Sequence, residues 1–538
     1  RDDVADARPP RPWSLPLAAS TDGTCIVLQA NVGEPPALVS FSLAINGATN
    51  GVSRALWTSE AFDASSPVAL RVQLLVQLLD EAVAFAPSVP CLSANNAVVD
   101  LLADDASSEA KLDAEVVSGF VVNGGAAAGT EAFFSLALLL RLFWSCALDA
   151  PADSGYLFFR VLGAEIERAL GECRPALAVF LRAVGPDVEE RFMRSLGYML
   201  AKWCLLREID QANGSSSAET PPRPRRALIP AAACVSYAAE VHGLWVLRGY
   251  APVLVMPRVT VVALMEAVAQ LEYAVRARDR RFLTVSVRVD NVRVRVARLG
   301  FRRKHDDNEN ADEDDDVMMD GERHFPSRIR LWVGPRYGAS YATGPSLGLS
   351  TGNPERDVET TRVVKGAFFS SSGGAAKLAN GNGFSPRVKA KVRSSARTRN
   401  RSWRWEQEAE GSAAVFEGVL CDPATGNEVS AWRPPPGFGT GAAAADPRNG
   451  MRRRYAGHGR AFSKMRGLVV AGDELPEEVT WRVGREAEGR TLRWRLGLKV
   501  WVSYLPNEVR SRHFETRCVE WAHEVDLPLV PVHANDES

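Results

Sequence analysis

Apolar positions along this chain follow two periods, one in each half. After Ser66-Pro67, an N-cap and a proline at the first helical position, Val68, Val72, Leu75, Leu79 and Val83 recur at helical spacing. The same reading predicts helices near 95–104, 108–121, 130–148, 155–171 and 174–183. A last helix starts at Pro186, with Asp187, Glu189 and Glu190 early and Lys202 and Arg207 late, as the helix dipole favours. Two strand-like runs, Thr24 to Asn31 and Ala37 to Ile45, come before them. Residues 1–210 therefore read as an α-rich domain with a small β element at its start.

Residues 211–226 are rich in Ser, Pro and Gly without apolar periodicity, which predicts a linker. One more helix is predicted at about Thr260 to Arg276, and then period-2 alternation takes over. Val285, Val287 and Val289 alternate with polar residues, Asp290-Asn291 intervenes, and Val292, Val294 and Val296 resume. Two strands joined by a two-residue link predict a tight hairpin, with one long strand as the alternative. Ile329, Leu331 and Val333 mark another strand, and the run from Leu492 to Val502 the longest. Further strands are predicted at 403–408, 413–420, 478–484 and 514–521. Trp403-Arg-Trp-Glu-Gln-Glu-Ala-Glu-Gly411 is echoed by Trp481-Arg-Val-Gly-Arg-Glu-Ala-Glu-Gly489. The echo predicts two similar hairpins, each with glycine at a positive-φ turn position. Three stretches, 304–325 (acidic), 366–387 (Ser/Gly/Asn) and 433–450 (Pro/Gly/Ala), have compositions that do not support packing and are expected to be disordered insertions. The predicted fold class is α+β: an α-rich N-terminal domain followed by an antiparallel β-rich, sandwich-like domain over 227–535.

Composition adds little beyond a globular class: 46% apolar, 24% charged, 13 Trp and 8 Cys in 538 residues. No two cysteines lie within four residues of each other, so no C-x-x-C zinc or redox pair exists, and the thiols are expected to be free and buried. The longest apolar run, Ala132 to Leu148, is interrupted by Arg141 and reads as a core helix rather than a membrane span. The chain begins at Arg1 without Met, which leaves a removed leader open. The default expectation is an intracellular protein of the cytoplasm or nucleus.

Charge changes the picture more. Residues 1–210 hold 15 basic and 26 acidic residues, a net of −11, whereas 211–538 hold 49 and 39, a net of +10. Ten acids and no Lys or Arg fall within Asp306 to Glu322, so the rest of the second half is strongly basic. Arg387, Lys389, Lys391 and Arg393 recur at every second residue, on one face if extended. Arg397, Arg399 and Arg401 continue that spacing and end at Trp403 and Trp405, while Arg288, Arg293 and Arg295 form a second stripe. Cations on phosphates with rings stacked on bases would hold an anionic polymer. Outward arginines also blunt the solvent face of a sheet, and the acidic N-terminal half offers an internal partner.

Chemical motifs do not rise above their bland readings. Gly344-Pro-Ser-Leu-Gly348 matches the nucleophile-elbow pattern around Ser346, but loop-like residues follow it where that motif needs a helix. Glu406, Glu408 and Glu410 share a strand face without an Asp/Asn-rich loop to complete a cation site. None of the seven histidines forms an i, i+4 helical pair, and no Walker lysine motif is present. No cofactor or metal is expected.

At Asn400-Arg-Ser-Trp-Arg-Trp-Glu-Gln-Glu-Ala-Glu-Gly411 and Phe514-Glu-Thr-Arg-Cys-Val-Glu-Trp-Ala-His-Glu-Val-Asp-Leu-Pro-Leu529 the chain resembles uncharacterised plant proteins. The resemblance covers the last third and implies no activity or site residue. The expectation is a non-enzymatic binding or scaffold protein whose basic β-rich domain engages an acidic protein surface, with its own N-terminal half as one candidate. Nucleic acid or another polyanion is the first alternative. A hydrolase using Ser346 or the Glu406/Glu408 face is the second.

Overall fold

A computed structural model of the chain describes residues 13–19, 25–33, 38–46, 53–64, 66–87, 112, 114–123, 129–148, 152–214, 233–241, 243–253, 262–277, 280–299, 323–336, 342–348, 362–366, 390–394, 403–421, 428, 467–471, 478–505 and 516–531. It opens on an antiparallel sheet of β1 (Trp13–Ala19), β2 (Cys25–Val32), β3 (Leu38–Asn46), β4 (Ser53–Thr58) and the short β5 (Phe62–Asp63). Five helices follow: α1 (Pro67–Ala84), α2 (Ala114–Asn123), α3 (Thr130–Leu148), α4 (Ala152–Ala183) and α5 (Pro186–Gly214). The remaining described elements are all strands apart from a 3-10 turn at Arg485–Ala487.

Those strands form two larger sheets and a ribbon. The seven-stranded sheet runs β11 (Ala342–Ser346), β17 (Val479–Gly484), β9 (Phe282–Leu299), β8 (Val262–Arg276), β7 (Leu244–Val253), β6 (Val235–Val241), with β16 (Gly467–Ala471) also on β9. The five-stranded sheet runs β14 (Trp403–Glu410), β15 (Ala413–Leu420), β10 (Arg323–Pro335), β18 (Thr491–Leu505), β19 (Thr516–Pro528). Among the described residues, β12 (Arg362–Gly366) and β13 (Ala390–Ser394) pair only with each other.

The two large sheets face each other across buried tryptophans. Trp245 of β7 lies 5.8 Å from Trp494 of β18, which meets Trp481 of β17 edge-on at 4.8 Å. Trp521 of β19 lies over Gly249 of β7, where an added Cβ would sit 2.8 Å from the ring. Such ring pairs contribute roughly 0.5–1.5 kcal/mol each beyond the area they bury.

The expected α-rich N-terminal domain is overturned. The protein is mostly β, its N-terminal part starts with a five-stranded sheet, and no separate helical core occurs among the described residues. One continuous apolar core runs from Ile26 through the helices to Leu529. Leu264 of β8 reaches Gly197 of α5, so the helices close the outer face of the seven-stranded sheet. The physical reason is that α3, α4 and α5 carry apolar residues on more than one side and bury them against strands as well as against each other.

Other expectations divide. α3 spans the expected residues, and α1 starts where expected, with the Ser66 hydroxyl accepting from the Ala69 N–H. The two helices expected at 155–171 and 174–183 are one, with Pro175 inside it. α5 continues to Gly214, into the expected linker, the rest of which lies outside the described residues. So do 95–104, all of 433–450 and nearly all of 304–325 and 366–387.

The helix expected at 260–276 is the central strand β8. Its Ala-, Glu- and Met-rich text favours a helix locally. Pairing with β7 on one side and β9 on the other, and burial of Ala263, Met265, Ala267, Ala269 and Leu271, override that preference.

No hairpin forms at Asp290-Asn291. β9 is one strand of 18 residues, and the register slips so that Gln270 faces Asn291 while Leu271 faces Val289. Asp290 is the extra residue of a bulge. The valines change from odd to even numbers there, and the bulge keeps Val285, Val287, Val289, Val292 and Val294 all buried.

The echoed segments are only half alike. Gly411 and Gly489 both take positive φ, 63° and 77°. The first turns a true hairpin between β14 and β15, whereas the second carries the chain from the seven-stranded sheet to the five-stranded one.

α3 contains an 18-residue window, Thr130–Ala147, that is long and apolar enough to cross a membrane by length and composition, and 56% of it is buried. Phe133, Leu136, Leu140 and Trp144 on this helix are all fully buried.

Candidate anion-binding face

The expected anion-binding residues fall into three groups. Arg288, Arg293 and Arg295 lie on the outer face of the seven-stranded sheet, because the buried valines of β9 take the inner one. The register sets Arg288 opposite Glu272, Arg293 opposite Val268 and Arg295 opposite Glu266. Arg288 donates to Glu272 with its Nε 2.7 Å from Oε2. Both side chains are about half exposed, so the pair contributes no more than about 1 kcal/mol. Burial raises the pKa of Glu266, opposed by the charges of Arg194 on α5 and of Arg295. Two of the three arginines thus face carboxylates of their own sheet. Arg293 is exposed and has no ion-pair partner among the described residues.

Lys391 and Arg393 belong to the second group, on β13. The register pairs Lys391 with Lys365 and Arg393 with Val363 of β12. The ribbon thus brings Arg362, Lys365, Lys391 and Arg393 onto two paired strands. Arg362 and Lys365 of β12 escaped the sequence reading, which followed single-strand alternation; only the pairing of two segments 24 residues or more apart brings them in. Arg387, Lys389, Arg397, Arg399 and Arg401 lie outside the described residues.

Trp403 and Trp405 form the third group, and they point inward. They are 7% and 0% exposed, stack on each other at 6.4 Å, and Trp405 lies against Gly418 of β15. Rings held this way are not available to stack on bases. Trp403, Trp405 and Gln407 alternate on the buried side of β14.

A fourth constellation was not legible in the sequence at all. Glu189, in the first turn of α5, is 3% exposed and accepts from the hydroxyls of Tyr237 on β6 and Tyr250 on β7 at 2.6 and 2.9 Å, and from the Arg248 guanidinium. Burial, reinforced by the adjacent carboxylate, pushes both phenols far above their ordinary range, so both stay protonated donors. Nearby, the Ser236 hydroxyl lies 2.9 Å from His523 Nε2, linking β6 to β19. Burial, then the charges of Arg182 and Arg174, lowers the His523 pKa. Among the described residues no carboxylate bonds to its other ring nitrogen, so the pair is an inter-strand link without a triad's third member.

Ser346 ends β11 opposite Thr480, and no helix follows it among the described residues. Glu406 pairs with Arg404 and Glu410 with Arg330, and no cluster of metal-ligating side chains occurs among the described residues. The described cysteines are all free, and burial pushes the Cys146, Cys173 and Cys234 thiols up to about 12, which keeps them protonated.

No protein-family model matches the chain, and no curated protein matches it. Among solved structures it is similar to the Clostridium perfringens NetB toxin in its membrane-inserted form, at 8% identity and a TM-score of 0.19, covering 55% of this chain and 93% of the toxin. It is likewise similar to Clostridium perfringens delta-toxin, at 10% identity and a TM-score of 0.21, covering 55% and 96%. At those TM-scores neither likeness bears on function.

Proposed function

We propose that this chain is a non-enzymatic binding protein that takes an acidic protein surface through basic β structure, with the β12–β13 ribbon as the principal contact. The pairing of Lys365 with Lys391 carries this reading. Four basic residues on two paired strands concentrate positive charge, which an anionic partner complements. The stripe on β9 supplies less, because Glu272 and Glu266 already oppose Arg288 and Arg295. A second reading, nucleic acid, is favoured by the ribbon's geometry, since a two-stranded ribbon fits the major groove of a duplex.

The test uses the full chain and the double variant Lys391→Glu/Arg393→Glu, titrated against labelled polyglutamate and a labelled DNA duplex. Anisotropy is followed from about 50 to 200 mM salt, where phosphate contacts weaken steeply. The expected result is binding to polyglutamate that the variant weakens about tenfold or more. Binding to the duplex alone moves the assignment to nucleic acid. Equal binding by both proteins removes the ribbon, and binding to neither probe removes the proposal.

A further inference from the structure

The N-terminal sheet and the helices enclose an apolar pocket of about 460 Å³. It is lined by Leu28 of β2, Phe41 of β3, Trp57 of β4, Leu70 and Leu74 of α1 and Phe134 of α3. Its size lies within the roughly 300–1,000 Å³ typical of small-ligand sites. Only one charged side chain lines it, that of Arg71. Arg71 is exposed and makes no ion pair or hydrogen bond among the described residues.

Three features point to the same ligand chemistry. Two exposed apolar residues neighbour lining residues in register or in sequence: Leu15, opposite Leu28 in the register, is 42% exposed, and Val68, next in the chain to the lining residue Pro67, is 52% exposed. Exposed apolar side chains at such positions favour an occupant with hydrocarbon of its own. Arg71 sets a fixed positive charge beside that hydrocarbon, and no acid among the described residues pairs with it. The first turn of α1 also reaches the pocket through Pro67 and contains no acidic residue, so the helix dipole adds to the positive potential there.

We propose that this pocket binds a free single-chain anionic amphiphile of the fatty-acid class, its alkyl chain among Leu28, Phe41, Leu74 and Phe134 and its carboxylate at Arg71. The site is separate from the basic ribbon, and the two stand or fall independently.

Calorimetric titration of the full chain with octanoate, nonanoate and decanoate, below their micelle concentrations, tests it. Each added methylene is expected to tighten binding about fourfold, the transfer free energy of one CH₂. Decanol is expected to bind at least about tenfold more weakly than decanoate. Arg71→Gln, a surface change that leaves the core intact, is expected to abolish that preference. Leu70→Trp, which fills the pocket, is expected to weaken both ligands, and its circular dichroism checks that the fold survives. Sedimentation with phosphatidylcholine vesicles, with and without phosphatidylglycerol, tests lipid headgroups as the source of the anion. Chain-length-dependent binding of free acid that needs Arg71 supports the proposal. No binding of free acid, equal binding by Arg71→Gln, or binding only to anionic vesicles overturns it.

Discussion

Arg141 stands in the middle of the most apolar stretch of the chain, where the sequence showed it only as an interruption. It is 7% exposed and is neutralised by Glu81 of α1, with Ser145 accepting at 3.0 Å and the rings of Trp57 and Phe85 beside its guanidinium. Glu81 in turn accepts from Trp57 Nε1 at 3.2 Å and from Gln77 at 2.7 Å. The charge is legible in the sequence, but its partner 60 residues away is not. Removing one member leaves the other buried and unpaired, so Glu81→Ala should lower stability by about 3–5 kcal/mol. The double change Arg141→Met/Glu81→Leu should recover most of that loss, because it replaces a buried ion pair with packed hydrocarbon. Urea unfolding of the three proteins measures both effects, and a single-variant loss below about 1 kcal/mol would show that water reaches the pair.

At the scale of elements, the contact that joins helix to sheet is polar at its centre. Glu189 holds the start of α5 to β6 and β7 through two phenols and a guanidinium. As a first-turn acid it suits the helix dipole, which explains an exposed residue but not one so deeply buried. Glu189→Gln keeps the shape and removes the charge that the three donors share, and a hydrogen bond to a charged group is worth about 1.5–3 kcal/mol. The variant is expected to lose about 2 kcal/mol and to show faster amide exchange in the first turns of α5, with β10 and β18 unchanged. Uniform exchange across the molecule would mean that α5 does not open locally. β8 shows the opposite limit of legibility. Its residues are good helix formers, and what makes them a strand is the pair of neighbours that arrive from either side. In β9 the valine periodicity was visible, including its change of parity, but the choice between a turn and a bulge depended on β8 running alongside.

The whole molecule has one core, although its charge divides it into an acidic and a basic half. Deleting residues 1–225 would uncover Tyr237, Arg248, Tyr250 and Leu264, which now face α5. Fragment 226–538 is therefore expected to expose apolar surface, bind anilinonaphthalene sulfonate and lack a cooperative transition. The full chain is expected to unfold in one transition by far-ultraviolet circular dichroism and by tryptophan fluorescence. A fragment that unfolds cooperatively by itself would show that the chain forms two independent domains. Alternation and helical spacing by themselves determined most strands after residue 280, the limits of α3 and the start of α1, because those patterns record which side of an element is buried. They determined the basic spacing of Lys391 and Arg393 as well. Tertiary structure alone decided that 262–276 is a strand, that Trp403 and Trp405 are core, that Arg288 is already paired and that Lys365 joins the ribbon. Each of these depends on which distant segment lies alongside, and a local pattern records that a surface is covered without recording what covers it.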